Sequence, residues 1–447
     1  METEKDDVIE CVIDDMGVYG EGITHVGGQT VFIPGAIRGE RVSAKIVMAK
    51  PNLAHAVLTK IYSPSPYRVS PPCPYFKQCG GCSLQHVAYE EQLRLKRDIV
   101  TNAFKKYAGI TVEAEDTVPS LGYGYRNKLS MPVRFDVKRG SVGGLFMKRS
   151  HRVVETESCL LQKQPTFEVA RQALAFALKE GLTAYDETNG RGDLRHIAVR
   201  MLNGQISLTF VLNGERKRFE AKLKEAAQAD GRENAGIFVN INKRRDNVIL
   251  GEETRLVYGS NRAVLCGMSV ENHPQAFFQV NDDIRDRLYR DVIEEIDDGA
   301  NVVDAYCGAG IMSAMAAKKA KTVVGVEIVA AAVESAQTLK RETKIRNLSF
   351  VCGDCADCLK SAVEKLKEDV CVILDPPKSG CQKNVAENLA AAKNVNKIIY
   401  VSCNPSTLAR DCAIFEKGGF EVVSVRPYDM FPQTTSVETL VVMKRRV

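Results

Sequence analysis

The sequence predicts an α/β protein built in three parts, on three observations. From about Asn301 onward, β-branched apolar runs alternate with helical stretches, the grammar of a parallel sheet. The first sixty or so residues instead hold short strands between glycine turns and no helical stripe, as in a small closed barrel. Between them lies a mixed α+β stretch that opens on a tight group of cysteines. A chain of 447 residues accommodates roughly three domains at ~150 residues each. The expected boundaries are 1–63, 64–266 and 267–447.

Composition narrows the class. Lys+Arg 61 against Asp+Glu 56 leaves +5, which permits a polyanionic partner without requiring one. No apolar run approaches the ~20 residues of a membrane span, and the charged opening Met1 to Asp7 is no signal peptide. A soluble, cytoplasmic protein with no membrane partner is therefore expected. In that setting fourteen cysteines point to reduced thiols, a metal or catalysis, not disulfides.

The barrel strands are expected at 8–13, 23–26, 30–33, 40–47 and 56–61, a five-stranded OB-type pattern of the kind that binds oligonucleotides. A stiff linker, Ser63-Pro64-Ser65-Pro66 through Pro72, follows. It leads into Cys73-Pro74-Tyr75-Phe76-Lys77-Gln78-Cys79-Gly80-Gly81-Cys82, three thiols on a Gly-Gly turn, with Cys159 available as a fourth. Four thiolates suit either tetrahedral zinc or an iron–sulfur cluster, and spacing does not choose between them. The order is not the C-x3-C-x2-C of radical chemistry, so the group reads as structural or as an aid to RNA recognition. A helix is expected over 89–107, with Tyr89, Leu93, Val100, Ala103, Phe104 and Tyr107 along its apolar side and Arg94, Lys96, Arg97, Lys105 and Lys106 on a solvated one. Strands at 128–135, 143–146, 197–202 and 206–212 and a helix at 167–179 make up the middle part, whose basic clusters are Arg216-Lys217-Arg218 and Lys243-Arg244-Arg245.

In the last part, Asn301-Val302-Val303-Asp304 is a strand, Cys307-Gly308-Ala309-Gly310 a glycine turn, and 311–318 a helix. The second strand ends at Glu327, nineteen residues beyond Gly308, placed to accept both ribose hydroxyls of an adenosine. A dinucleotide would want a third glycine, and Ile311-Met312-Ser313 lacks it. The turn fits a cofactor without pyrophosphate, such as S-adenosylmethionine, with Asp354 placed to reach the adenine. A Rossmann-like class I methyltransferase sheet is the expected fold. Asp375, in Asp375-Pro376-Pro377-Lys378 at the end of the fourth strand, can read an amide or imide edge of a base. Cys403 ends the apolar run Ile398 to Ser402, at the sheet edge where open α/β proteins place ligands. Ser406 or Thr407 is expected to cap the helix that follows.

Several of these motifs resemble known families. Gly17-Val18-Tyr19-Gly20-Glu21-Gly22-Ile23 with Val31-Phe32-Ile33-Pro34-Gly35-Ala36 resembles a TRAM domain, an RNA-binding barrel. Together with Phe277-Phe278-Gln279-Val280-Asn281, Asp375-Pro376-Pro377-Lys378, Ser402-Cys403-Asn404-Pro405 and Asp429-Met430-Phe431-Pro432 through Glu438-Thr439, the chain resembles the RNA uracil-5-methyltransferases. It is most similar to the bacterial 23S ribosomal RNA enzymes with a TRAM domain and a [4Fe-4S] cluster. The resemblance implies that Cys73, Cys79, Cys82 and Cys159 hold the cluster, that Gln279, Tyr306, Glu327 and Asp375 serve cofactor and substrate beside the Gly308 and Asp354 read from the strand pattern, that Cys403 is the nucleophile and Glu438 the base. It also implies that the 89–107 helix packs with the C-terminal domain. The implied partner is a loop or single strand of 23S ribosomal RNA, not DNA, bound by a monomer. Lys378 stands where the family has arginine, and Ser436 where it has a histidine. Other readings are the T-loop enzyme of transfer RNA, a cytosine-5-methyltransferase, a non-catalytic RNA-binding or RNA-folding protein, and an electron carrier.

Overall fold

Along Gln29–Pro34 every second side chain is buried, the signature of a strand with one face on a core. Val31, Ile33, Val42, Ala44, Ile46 and Ala54 form that core. Six strands, Val8–Val12, Asp15–Met16, Glu21–Val26, Gln29–Pro34, Arg41–Lys50 and Leu53–Ser63, make one sheet. Its two ends, Val8–Val12 and Asp15–Met16, are separated only by Ile13 and Asp14, so the sheet curls back on itself as a barrel. Asp15–Met16 is additional to the five strands expected, and two residues are too few to show a period. The computed structural model describes residues 3–231 and 234–446. Among the described residues no helix is long and apolar enough to cross a membrane.

The middle part is a seven-stranded sheet in the order Glu253–Gly259, Ala235–Ile241, Gln205–Leu212, Leu194–Leu202, Lys128–Asp136, Gly140–Phe146, Val153–Glu155. Leu129, Met131, Ile197, Phe210 and Phe219 pack with helix Thr166–Lys179 and helix Lys217–Asp230 on one face. The sequence did not reveal the strands Val153–Glu155, Ala235–Ile241 and Glu253–Gly259, nor that Lys217 and Arg218 open a helix.

The last part holds β1 (Asn301–Ala305), β2 (Thr322–Glu327), β3 (Leu348–Cys352), β4 (Val370–Leu374), β5 (Val395–Ser402), β6 (Phe420–Tyr428) and β7 (Glu438–Arg445). The order is β3-β2-β1-β4-β5-β7-β6, with β1 to β5 parallel and β7 antiparallel between β5 and β6. The order reverses at β1, so the carboxyl ends of β1, β2, β4 and β5 share one edge. Two early or boundary segments complete this domain's core. Val100 and Phe104, from helix Tyr89–Ala103 and the π-turn Phe104–Ala108 after it, are buried with Phe415, Val437 and Val441. The hairpin Arg262–Leu265 and Met268–Glu271, which straddles residue 266, buries Ala263, Leu265, Met268 and Val270 with Val302 and Val323. Two readings of the 89–107 helix are corrected: Tyr107 is 49% exposed, and Lys96, assigned to the solvated side, is fully buried.

Candidate active site

The turn after β1 is built to approach something closely. Tyr306 has φ +65°, a conformation costly for a bulky side chain and found mostly where function requires it. Gly310 has φ +77°, and a Cβ there would meet Phe350 at 2.6 Å and Ala336 at 2.9 Å, so only glycine lets the helix Ile311–Ala316 pack this close. Glu327, ending β2, is fixed by two backbone donors: the Gly308 N–H to Oε2 at 3.0 Å and the Val329 N–H to Oε1 at 2.8 Å. Tyr306, Gly308, Glu327 and Val329 line a cleft of about 760 Å³ with Asp304, Tyr289, Phe278 and Asp375. That volume suits one drug-sized ligand. Phe277, 76% exposed, stands at its wall. The carboxyl of Asp304 is pushed up to about 7 by burial, opposed by the Ser313 hydroxyl that it accepts from and reinforced by Glu327.

Beside this cleft lies a second cluster. Cys403 is the residue after β5, and Glu438 is the first residue of β7. Because Ser402 pairs with Thr439 in the antiparallel ladder, one further step along that register puts Cys403 opposite Glu438. Burial pushes the Cys403 thiol up to about 11, helped by Glu438 and Asp375 and opposed by Lys378. Glu438 is 2% exposed, and burial followed by Asp375 lifts its carboxyl well above the usual range. Asp375 is lifted to about 7 by burial and by Asp304. Three proton-carrying groups with raised values converge on one spot, the arrangement expected of acid–base chemistry.

Local chemistry fixes that spot. Asn404 Oδ1 accepts from the Ser406 N–H at 3.2 Å and so caps the helix Pro405–Lys417, in place of the expected Ser406 or Thr407. Asn404 Nδ2 and the Thr407 hydroxyl both donate to the Lys378 carbonyl, at 3.0 and 3.3 Å, tying the Asp-Pro-Pro-Lys loop to the Cys403 turn. The loop before Glu438 is clamped by groups far away in sequence. Gln92 Nε2 donates to Gln433 Oε1, the Gln433 N–H donates to Gln92 Oε1, and the Gln433 carbonyl accepts from the Ser83 and Leu84 N–H groups, each at 3.0 Å. The Thr435 hydroxyl donates to the Val18 carbonyl of the barrel at 2.7 Å. Ser436 is exposed, and its N–H donates to the Thr434 hydroxyl.

Two expected cofactor residues are not among those that line this cleft. Asp354 caps helix Cys355–Lys365 through the Ala356 N–H, accepts from Gln382 Nε2, and does not line the cleft. Gln279 is buried with its carbonyl accepting from Asn127 Nδ2 at 3.1 Å, and it too is absent from the lining. Sequence reasoning missed Tyr289 and Ser313; Ser313 holds Asp304 from the helix after the glycine turn, but nothing local marks Tyr289.

The four thiols come from two segments, and burial, with the neighbouring thiols adding to it, raises Cys79, Cys82 and Cys159. Burial pushes Cys82 up to about 12, with Cys159, Cys79 and Cys73 adding to it and Gln85 Nε2, donating to its Sγ at 3.1 Å, opposing it. The Gly81 N–H points at Cys79 Sγ, 3.4 Å away. Four thiols this close ionise together only against concentrated positive charge, and N–H donors on sulfur suit a thiolate-ligated centre. Among the described residues no three His, Cys, Asp or Glu side chains are gathered at metal-holding distance.

A family model described as tRNA (uracil-5-)-methyltransferase matches residues 202–446, and one described as TRAM domain matches residues 6–59. A Clostridium tetani protein called an uncharacterized RNA methyltransferase is 37% identical, covering 98% of this chain and 97% of its own. One from Listeria innocua with a similar description is 36% identical, covering 98% of each. The crystal structure of Pyrococcus abyssi tRNA (uracil-54, C5)-methyltransferase in complex with S-adenosyl-L-homocysteine superposes with a TM-score of 0.76 at 24% identity, covering 97% of this chain and all of that one.

Proposed function

The chain belongs to the RNA uracil-5-methyltransferase family, and from that premise we propose that it methylates carbon 5 of uridine in 23S ribosomal RNA, as a cytoplasmic monomer. The observation that carries this reading is the meeting of Cys403, Glu438 and Asp375 at one sheet edge, beside the cleft lined by Glu327 and Tyr306. Glu327, Tyr306 and Gly308 would hold S-adenosylmethionine, the carboxylate on its ribose. That cofactor, when bound, supplies a methyl carbon made electrophilic by a sulfonium.

Carbon 5 of uracil is too weak a nucleophile to take such a methyl unaided. Addition of the Cys403 thiolate to carbon 6 moves the electron pair of the 5,6 double bond onto carbon 5 and oxygen 4, and carbon 5 can then accept the methyl. Glu438 takes the carbon-5 proton; the freed pair restores the double bond and the carbon–sulfur bond breaks, returning the thiolate. A thiol held near 11 is protonated at neutral pH. Its proton must therefore pass to a neighbour, and Asp375, near 7, is poised to receive it. The uracil must first leave its stack, at a cost of a few kcal/mol that a looped strand lessens.

A transfer-RNA substrate is the second reading, favoured by the description of the matching family model. The purified protein, given S-adenosylmethionine and each RNA in turn, is expected to form 5-methyluridine in 23S RNA. Efficient methylation of transfer RNA with none of 23S RNA would reverse the assignment.

In this reading Cys73, Cys79, Cys82 and Cys159 hold a [4Fe-4S] cluster: four thiols suit zinc and iron–sulfur alike, and the resemblance to the 23S ribosomal RNA enzymes is what favours the cluster. Protein purified without air should be brown and contain iron and sulfide. Replacing Cys79 should lower thermal stability more than it changes the chemistry, since structural metal centres contribute to folding. Stoichiometric zinc without iron would refute the cluster.

A further inference from the structure

The central sheet has a second face, away from its two helices, and that face is cationic. The period of two puts Lys128 and Ser130, Ala198 and Arg200, and Ser207 and Thr209 on one side. Register aligns them in two rows, Lys128–Arg200–Ser207 and Ser130–Ala198–Thr209. A solvated face would leave these side chains open. Here residues 247–250 and 274–275 border them and form with them a half-open cavity of about 400 Å³, with Arg200 only 3% and Thr209 1% exposed and Lys128 half-buried.

The cavity lacks a counter-charge. No Asp or Glu lines it. The Arg200 guanidinium donates only to neutral acceptors: Asn272 Oδ1 at 2.7 Å, the Ala276 carbonyl at 2.6 Å and the His273 carbonyl. Among the described residues the Lys128 ammonium has no acceptor, and no carboxylate acts on it. Burial, with Arg200 and Arg126 beside it, pulls it down to about 8. The Ser130 hydroxyl is buried and also without a partner. Cations removed from water are costly unless paired, so this face suits an anion.

We propose that this cavity binds a phosphate of the substrate RNA backbone, through the charges of Lys128 and Arg200 and the hydroxyls of Ser130 and Thr209. The inference rests on the RNA methyltransferase reading. Gln275 supplies the link, because it lines both this cavity and the cofactor cleft, so a phosphate held here adjoins that cleft.

The test is Lys128→Met in the full-length protein, with Lys128→Gln as the alternative should the first not fold and Lys128→Arg as the charge-keeping control. The dissociation constant for substrate RNA should rise about tenfold, the worth of one charge-assisted bond. The slope of log K against log salt should fall by about one contact. Thermal stability should hold or rise, because an unpaired, half-buried cation has been removed, and S-adenosylhomocysteine binding should not change. Lys128→Arg should restore the slope. Wild-type RNA affinity and slope in Lys128→Met would overturn the proposal. Stabilisation of the wild type by inorganic phosphate, with RNA binding unaltered in the variant, would assign the cavity to a free ion and equally overturn it. The readout is binding, so it stands apart from failure of the methylation assay to yield 5-methyluridine.

Discussion

Replacing Glu438 by glutamine should leave ordinary RNA covalently attached to Cys403 with the methyl group already in place. Glutamine keeps the size and hydrogen bonding of a side chain that is 2% exposed, and removes only its basicity. Attack and methyl transfer need no base at carbon 5, whereas release of the thiol does. General bases contribute ~10²–10⁴ in rate, and turnover should fall by that order. The first step should move the other way. After burial, the Glu438 charge is the largest influence raising the Cys403 thiol. Without it the thiol ionises at lower pH, so the adduct should form at a pH where the wild type reacts poorly. A single-turnover reaction with a labelled methyl donor, run across pH and resolved under denaturing conditions, measures both effects. Adding Cys403→Ala must abolish the adduct, on this RNA and on RNA carrying 5-fluorouracil, whose fluorine cannot leave as a proton would. Free release of methylated RNA by Glu438→Gln would give the base role to another group.

The largest loss of stability is expected from Asp429→Ala. Lys96 and Asp429 are an ion pair with both side chains fully buried. Lys96 also donates to the Phe431 carbonyl at 3.0 Å, and the Tyr89 hydroxyl to Asp429 Oδ2 at 2.7 Å. Burial pulls the Lys96 ammonium down, against Asp429. The pair as a whole therefore adds little net stability, but removing one partner leaves a naked charge in the core, at about 3–5 kcal/mol. The double variant Lys96→Met/Asp429→Leu should recover most of that in thermal or denaturant unfolding. Its activity should not recover, because the bond from Lys96 to Phe431 that helps set the loop before Glu438 is gone. A cost below about 1 kcal/mol for Asp429→Ala would mean that the pair is not the support of this loop.

What was legible in the sequence was local. The barrel strands and β1 to β5 show a period of two or a buried run within a few residues, and glycine and proline punctuate them. The carboxylate nineteen residues past Gly308 was readable because the strand–turn–helix–strand unit fixes the interval, and Glu327 does line the cleft. The failures depended on partners far away. Lys96 looks like one more solvated lysine, because Asp429 is 333 residues distant. The strands Lys128–Asp136 and Leu194–Leu202 were anticipated in large part, but their cationic face was not. Which side of a strand is covered depends on the loops at 247–250 and 274–275, beyond both strands.

The clamp on the loop before Glu438 also bears on the order of assembly. Its bonds to Gln92 and Val18 span 341 and 417 residues. Closing such long loops costs entropy before any contact offsets it, so these bonds form late. The cofactor cleft, made mostly from consecutive strand–helix units, needs none of them. A molecule whose barrel or thiol turn has not docked would hold a formed cleft with its base unset. Readiness to bind the methyl donor and readiness to release product are therefore separate milestones of maturation, and the second waits on the slowest contacts in the chain.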